Sequence, residues 1–157
     1  MFEFIAAKSG QNILLRDILI ESKGHWGYSP EQLEIWRLNL NFKSEYILNN
    51  TVKLITKDSK VIGFYALVKG DVDMLDHFWL LPEAIGIGYG HLVFQQIIKE
   101  CNLLGIRQFV IVSDADAEGF YLKQGAIRVA EVYSKPQKKM LPKLKFIVDE
   151  MIEPTQL

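Results

Sequence analysis

The sequence predicts a mixed α/β fold in the order β-α-α-β-β-β-α-β-α-β-β, with a central sheet flanked by helices. Three observations lead there. Short runs rich in β-branched and aromatic residues alternate with stretches whose apolar residues recur at helical spacing. Three of those runs stand together between residues 52 and 81, separated only by turn-sized gaps, which marks a meander. One long helical stretch, Gly88 to Leu104, then separates the meander from Arg107 to Ser113, a nearly continuous apolar run of the kind found in buried strands parallel to their predecessor.

The first strand is Phe2 to Ala6, ending at Ser9-Gly10, with Ser9 a candidate helix cap. Leu14, Leu15, Ile18 and Leu19 form the stripe of the helix that follows. Gly24-His25-Trp26-Gly27-Tyr28 breaks it into a loop carrying bulky polar aromatics. Ser29-Pro30-Glu31-Gln32 opens a second helix, because Ser caps, Pro fits the first turn and Gln completes a capping box. Leu33, Trp36 and Leu40 are its buried stripe, and a polar stretch follows.

Val52 to Thr56 and Val61 to Val68 pair as a hairpin through Lys57-Asp58-Ser59-Lys60, and Gly70-Asp71 turns the chain into a third strand, Val72 to Leu81, stopped by Pro82. The helix from Gly88 presents Phe94, Ile97, Cys101 and Leu104 to the core and is closed by Gly105. Ala115 to Gln124 is a short helix closed by Gly125. Ile127 to Ser134 and Leu141 to Asp149 are the last two strands.

Composition narrows the function classes. The chain has 157 residues, 49% of them hydrophobic, which suits one domain over 1–157 with one sizeable core. No apolar window is long enough for a membrane span, and Met1-Phe2-Glu3-Phe4 lacks the regions of a secretory signal, so a cytoplasmic protein without membrane contact is expected. Eighteen Lys plus Arg against nineteen Asp plus Glu give a net charge of -1, which offers no field to recruit nucleic acid. The run Lys135, Lys138, Lys139, Lys143 and Lys145 reads as a solvated face. Cys101, the single cysteine, excludes an internal disulfide and packs on an apolar helix face. His25, His77 and His91 lie on separate elements, so no metal site is expected.

The most informative stretch is the corner between the third meander strand and the long helix, where Gly86, Gly88 and Gly90 alternate. Glycines leave the backbone bare, and a helix start presents N–H groups and the positive end of its dipole, so the corner reads as an anion cradle. An NTPase phosphate loop would need Lys and Ser or Thr after its last glycine, where His91 and Leu92 stand. A dinucleotide fingerprint counted from Gly86 would need glycine at His91. The alternative is that these glycines only let the helix pack closely on the sheet.

Leu80-Leu81-Pro82-Glu83-Ala84-Ile85-Gly86-Ile87-Gly88-Tyr89-Gly90 resembles the acyl-CoA-binding motif of the GNAT superfamily of N-acetyltransferases, with Ile85 at the position of the usual Gln or Arg. Asp114-Ala115-Asp116-Ala117-Glu118-Gly119-Phe120-Tyr121, followed by Gly125, resembles the second signature of that family, with Asp114 in place of Asn. The resemblance implies a fold whose central strands splay apart to admit the pantetheine arm. It also implies transfer of an acetyl group from acetyl-CoA to a primary amine of a small molecule or peptide. Its CoA contacts would be Leu80, Leu81, Gly86, Ile87, Gly88, Tyr89, Gly90, His91, Asp114 and Tyr121, with the Leu80 N–H facing the developing oxyanion. Tyr121 would protonate the departing thiolate.

A proton acceptor for the amine is also needed. Where some relatives carry Glu, this chain has Met74, so Asp76 and His77, on opposite strand faces, become the candidates. His25, Trp26 and Tyr28 are the candidate acceptor pocket, by analogy with the loop that covers that pocket in the family. A CoA-binding module without acyl transfer is the alternative, and a homodimer is left open.

Overall fold

In a computed structural model, residues 1–148 are described. The element order is β1 (Phe2–Ala6), α1 (Asn12–His25), α2 (Pro30–Asn39), α3 (Ser44–Asn49), β2 (Thr51–Lys57), β3 (Lys60–Val68), β4 (Met74–Leu80), α4 (Tyr89–Leu104), β5 (Gln108–Val112), α5 (Glu118–Lys123), β6 (Ile127–Ser134) and β7 (Lys139–Ile147). Single 3-10 turns at Pro82–Ala84 and Ala115–Ala117 precede α4 and α5. The strands run in the order β1-β2-β3-β4-β5-β7-β6. The expected mixed sheet is therefore present, with α3 added to the expected order. No helix among the described residues is long and apolar enough to cross a membrane.

Contacts divide the chain into two compact units, Met1–Val68 with Asp76–Gly90, and Lys69–Leu75 with the residues from His91 onward. In the first, β1 pairs antiparallel with β2 and β2 with β3. The β2–β3 turn places Asp58 and Ser59 at φ 50° and 69°, the left-handed pair that a two-residue hairpin loop requires. Leu15, Ile18 and Leu19 of α1, Trp36 of α2, Phe42, Ile47 of α3, and Val52, Leu54 and Phe64 of the hairpin form one buried cluster. Ser29 caps α2 as its sequence announces, its hydroxyl accepting from the Gln32 N–H at 3.1 Å.

Two helix boundaries differ from the expectation. α1 begins at Asn12 with Gln11 at the cap, and the Gln11 side chain accepts from the Lys8 N–H at 2.8 Å; Ser9 caps nothing. At its other end α1 runs through Gly24 and His25, because the stop is Gly27, at φ +86°. Gly24 alone does not break the helix, since a glycine with ordinary dihedrals merely lowers helix propensity.

In the second unit, β4 and β5 pair parallel at Met74↔Val110, as expected of the run after the long helix. β5 pairs antiparallel with β7, and β7 with β6. Phe94, Phe109 and Phe146 form the aromatic centre, with ring centroids 5.0 to 6.2 Å apart, beside buried Ile97 and Cys101. Gly105 and Gly125 close α4 and α5 at φ +75° and +106°. β7 starts at Lys139, two residues before the expected Leu141; the expected end at Asp149 lies outside the described residues.

Candidate functional site

The corner before α4 has the conformation that its glycines permit. Gly86 and Gly88 sit at φ +82° and +87°, and a Cβ added to either would meet nothing within 4 Å. Close packing is therefore not what these two glycines serve. They turn the chain through left-handed dihedrals and keep the space before the helix clear. The first N–H groups of α4 lack partners within the helix, and no acidic residue stands in its first turn to neutralise them. Bare amides, a favourable dipole and open space fit the diphosphate of a nucleotide cofactor.

Side chains around the corner hold it in place. The Tyr89 ring packs edge-on against Phe2 at 5.0 Å, and the Lys57 ammonium lies 5.6 and 5.8 Å from the two ring centroids. Tyr89 thus pins the start of α4 with its ring. Ile87 is exposed. In the second unit, His91 Nδ1 lies 2.8 Å from Gln124 Oε1, tying α4 to the end of α5.

Just upstream, the Leu81 N–H donates to the Ile62 carbonyl at 2.7 Å and the Leu81 carbonyl accepts from the Ala84 N–H at 2.9 Å. Both backbone groups of Leu81 are committed. Successive N–H groups of a strand point to opposite edges, so the Leu80 N–H points away from β3. The approach of β3 is tight here. A Cβ on Gly63 would lie 2.2 Å from the Trp79 carbonyl oxygen and 3.1 Å from Leu80 Cα, and the β2–β3 register slips between Ile55 and Thr56, opposite this point.

Asp76 and His77 come together with two residues that the sequence did not single out. The Tyr46 hydroxyl donates to Asp76 Oδ2 at 2.5 Å, and His77 Nε2 lies 3.7 Å from the same oxygen. The Trp79 indole N–H donates to His77 Nδ1 at 2.9 Å. An indole nitrogen only donates, so Nδ1 accepts and the neutral ring carries its proton on Nε2. Burial foremost, then the hydrogen bond and charge of Asp76, raise the Tyr46 phenol above its ordinary pKa.

Tyr121 lies on α5, only 6% exposed, packed on the Phe94 and Phe120 rings. Burial, then the Asp114 charge, raises its pKa. Asp114 Oδ1 accepts from the Gln137 amide at 2.7 Å, fixing the entry to α5.

The profile of the family described as "Acetyltransferase (GNAT) domain" matches residues 27–141. The chain belongs to the GNAT acetyltransferases. The fold is that of PaiA N-acetyltransferase from Thermoplasma acidophilum in complex with coenzyme A, at TM-score 0.73 and 17% identity over 94% of this chain and 99% of that one. N-acetylglutamate synthase from Neisseria gonorrhoeae, complexed with coenzyme A and N-acetyl-glutamate, is similar at TM-score 0.66 and 17% identity, over 96% of this chain and 36% of that one. The ribosomal-protein-S18-alanine N-acetyltransferase of Escherichia coli is similar at TM-score 0.61 and 12% identity, covering 98% of each chain. No curated protein matches the sequence.

In this GNAT chain the aromatics after α1 divide. His25, the last residue of α1 rather than a loop residue, and Trp26 are exposed and meet edge-on at 4.8 Å. Tyr28 packs 4.8 Å from Trp36, and the Lys23 ammonium stands 5.2, 4.5 and 5.0 Å from the Tyr28, Trp36 and Trp79 rings. Tyr28 thus belongs to a packed cage around a buried lysine. A different hollow, of about 400 Å³, opens beside α3, lined by Leu40, Phe42, Lys43, Glu45, Tyr46 and His77. The i, i+4 spacing of Phe42 and Tyr46 was the available signal, lost among the polar neighbours of a six-residue helix.

Proposed function

We propose that this GNAT chain transfers the acetyl group of acetyl-CoA to the nitrogen of a primary amine, on a small molecule or a peptide, by direct attack on the thioester. The observation that carries the reading is the cradle at Gly86 and Gly88, where left-handed glycines leave clear space before the N-terminus of α4. Family membership and the coenzyme A held by two structures of the same fold support it.

Acetyl-CoA, when bound, supplies an acetyl group already activated as a thioester. Backbone amides from Gly86 through His91 hold the diphosphate. The Leu80 N–H, pointing away from β3, is the donor suited to a developing oxyanion, a contribution of about 3 to 4 kcal/mol where one donor is preorganised. Asp76 accepts the proton of the attacking amine. His77 has no lone pair to do so while Trp79 holds its Nδ1, and it positions Asp76 instead. Tyr121, whose pKa is raised by burial, keeps its proton at neutral pH and is the phenol suited to protonate a thiolate.

Titration calorimetry with acetyl-CoA and with CoA tests the cradle, and free-thiol release in the presence of amines tests the transfer. Saturable heat for both thioester and thiol forms, with thiol release only when an amine is present, is the expected result. Absence of heat for either form at millimolar concentration overturns the reading.

A further inference from the structure

Resting on that reading, we infer that the hollow beside α3 is the acceptor site and that it takes a primary monoamine carried on an aromatic or apolar body. Its volume, about 400 Å³, falls in the range of small-ligand sites. Its walls are the side chain of Leu40 and three rings held rigidly against one another. Phe42 meets His77 at 5.0 Å and Tyr46 at 6.0 Å, and its other edge is seated on buried Phe64 at 5.6 Å. Rings held in this way, inclined to one another at 56 to 82°, form an angled apolar wall with little entropy to lose when a second ring enters edge-on.

Behind two of these rings stands a carboxylate, Asp76, which is not itself part of the lining. Tyr46 and His77, both lining the hollow, converge on Asp76 Oδ2. Among the described residues no hydrogen bond or ion pair engages Asp76 Oδ1, which leaves that oxygen for an ammonium reaching past the two rings. The rim has no row of acids. Lys43 and Glu45 carry opposite charges there, both exposed. A polyamine or a Lys-rich peptide needs successive carboxylates along its length and would instead bring a second cation to Lys43, whose charge selects against it.

The test compares 2-phenylethylamine with spermidine and a Lys-containing tetrapeptide, using the full chain and acetyl-CoA. The expected kcat/KM for phenylethylamine is at least about tenfold above that for either competitor, and Phe42→Ala raises its KM by about tenfold with CoA affinity unchanged. Phe42 is also a core residue, so exposed Lys43 supplies the second variant. Lys43→Glu is expected to lower the KM for spermidine relative to that for phenylethylamine by about threefold. Calorimetry separates the two claims. Heat for phenylethylamine without heat for CoA removes the proposed function and keeps the amine site. Heat for CoA with no heat or saturation for phenylethylamine removes the site, as does a preference for spermidine or the peptide, or a Lys43→Glu chain that discriminates as before.

Discussion

Tyr121 shows how far one side chain can be read from its surroundings. Packed rings remove its body from water, which disfavours the phenolate, and Asp114 adds a like charge, so the phenol stays protonated through neutral and mildly alkaline pH. A proton donor in that state gives a clear prediction. Tyr121→Phe keeps the ring packing and loses only the donor, so kcat should fall by about a hundredfold, with CoA affinity and melting temperature unchanged. Full turnover in that variant removes the acid role. Lys23 is the opposite case, since nothing in the sequence reveals a lysine that ends up 6% exposed. It lies one helical turn after Leu19, on the buried side of α1, and three rings from elsewhere in the chain accept its ammonium. Cation–π attraction at a desolvated site is worth about 2 kcal/mol. Lys23→Met, which keeps the stem and loses the charge, should lower the unfolding free energy by that order in a denaturant titration.

At the scale of elements, what was legible in the sequence was whatever depends on local chemistry. The Ser29-Pro30 start, the Asp58-Ser59 turn and the Gly105 and Gly125 stops each require a particular residue in a particular conformation, and each is where the sequence put it. α3 was missed because six residues without a capping side chain carry no such mark, and its stability comes from Ile47 and the neighbouring Phe42 reaching the core. For the same reason the open glycine corner before α4 could be located from sequence while Tyr46, Trp79 and the hollow could not, since these depend on contacts between elements. The β3–β4 contact is the sharpest of them. Any side chain at Gly63 strikes the backbone of Trp79, which neighbours the Leu80 N–H. Gly63→Ala should therefore cost about 1 to 3 kcal/mol of stability, and kcat should drop more than CoA affinity does, because the strand bearing the proposed oxyanion donor is the part displaced. Gly88→Ala acts on a separate element. It has room for its methyl but pays about 1 to 2 kcal/mol for the left-handed backbone, and weaker CoA binding with kcat retained at saturation is the expected pattern.

Across the whole molecule, three acidic groups share one direction of shift, and together they set how stability depends on pH. Cys101, fully buried on α4 and facing the charges of Glu100 and Asp73, is pushed from 9.0 up to about 12, chiefly by burial, while Tyr46 and Tyr121 are also raised. In the unfolded chain these groups lose their protons from about pH 8.5 to 10 upward. The folded chain keeps them longer, so above that range it binds more protons than the unfolded chain does, and stability falls as pH rises. Below about pH 8 both states are fully protonated at these sites and the three groups contribute no slope. Each costs up to about 1.4 kcal/mol per pH unit between its unfolded and folded values. The melting temperature should therefore be level with respect to these groups from pH 7 to about 8.5 and decline progressively to pH 11. In Cys101→Ala the decline should be shallower from its beginning, near pH 8.5, because the thiol is the first of the three to titrate in the unfolded chain. The native thiol should also resist iodoacetamide at pH 8 and react fully once denaturant is added. A melting temperature that rises toward pH 11, or a Cys101→Ala curve parallel to that of the parent, would show that burial does not hold these protons.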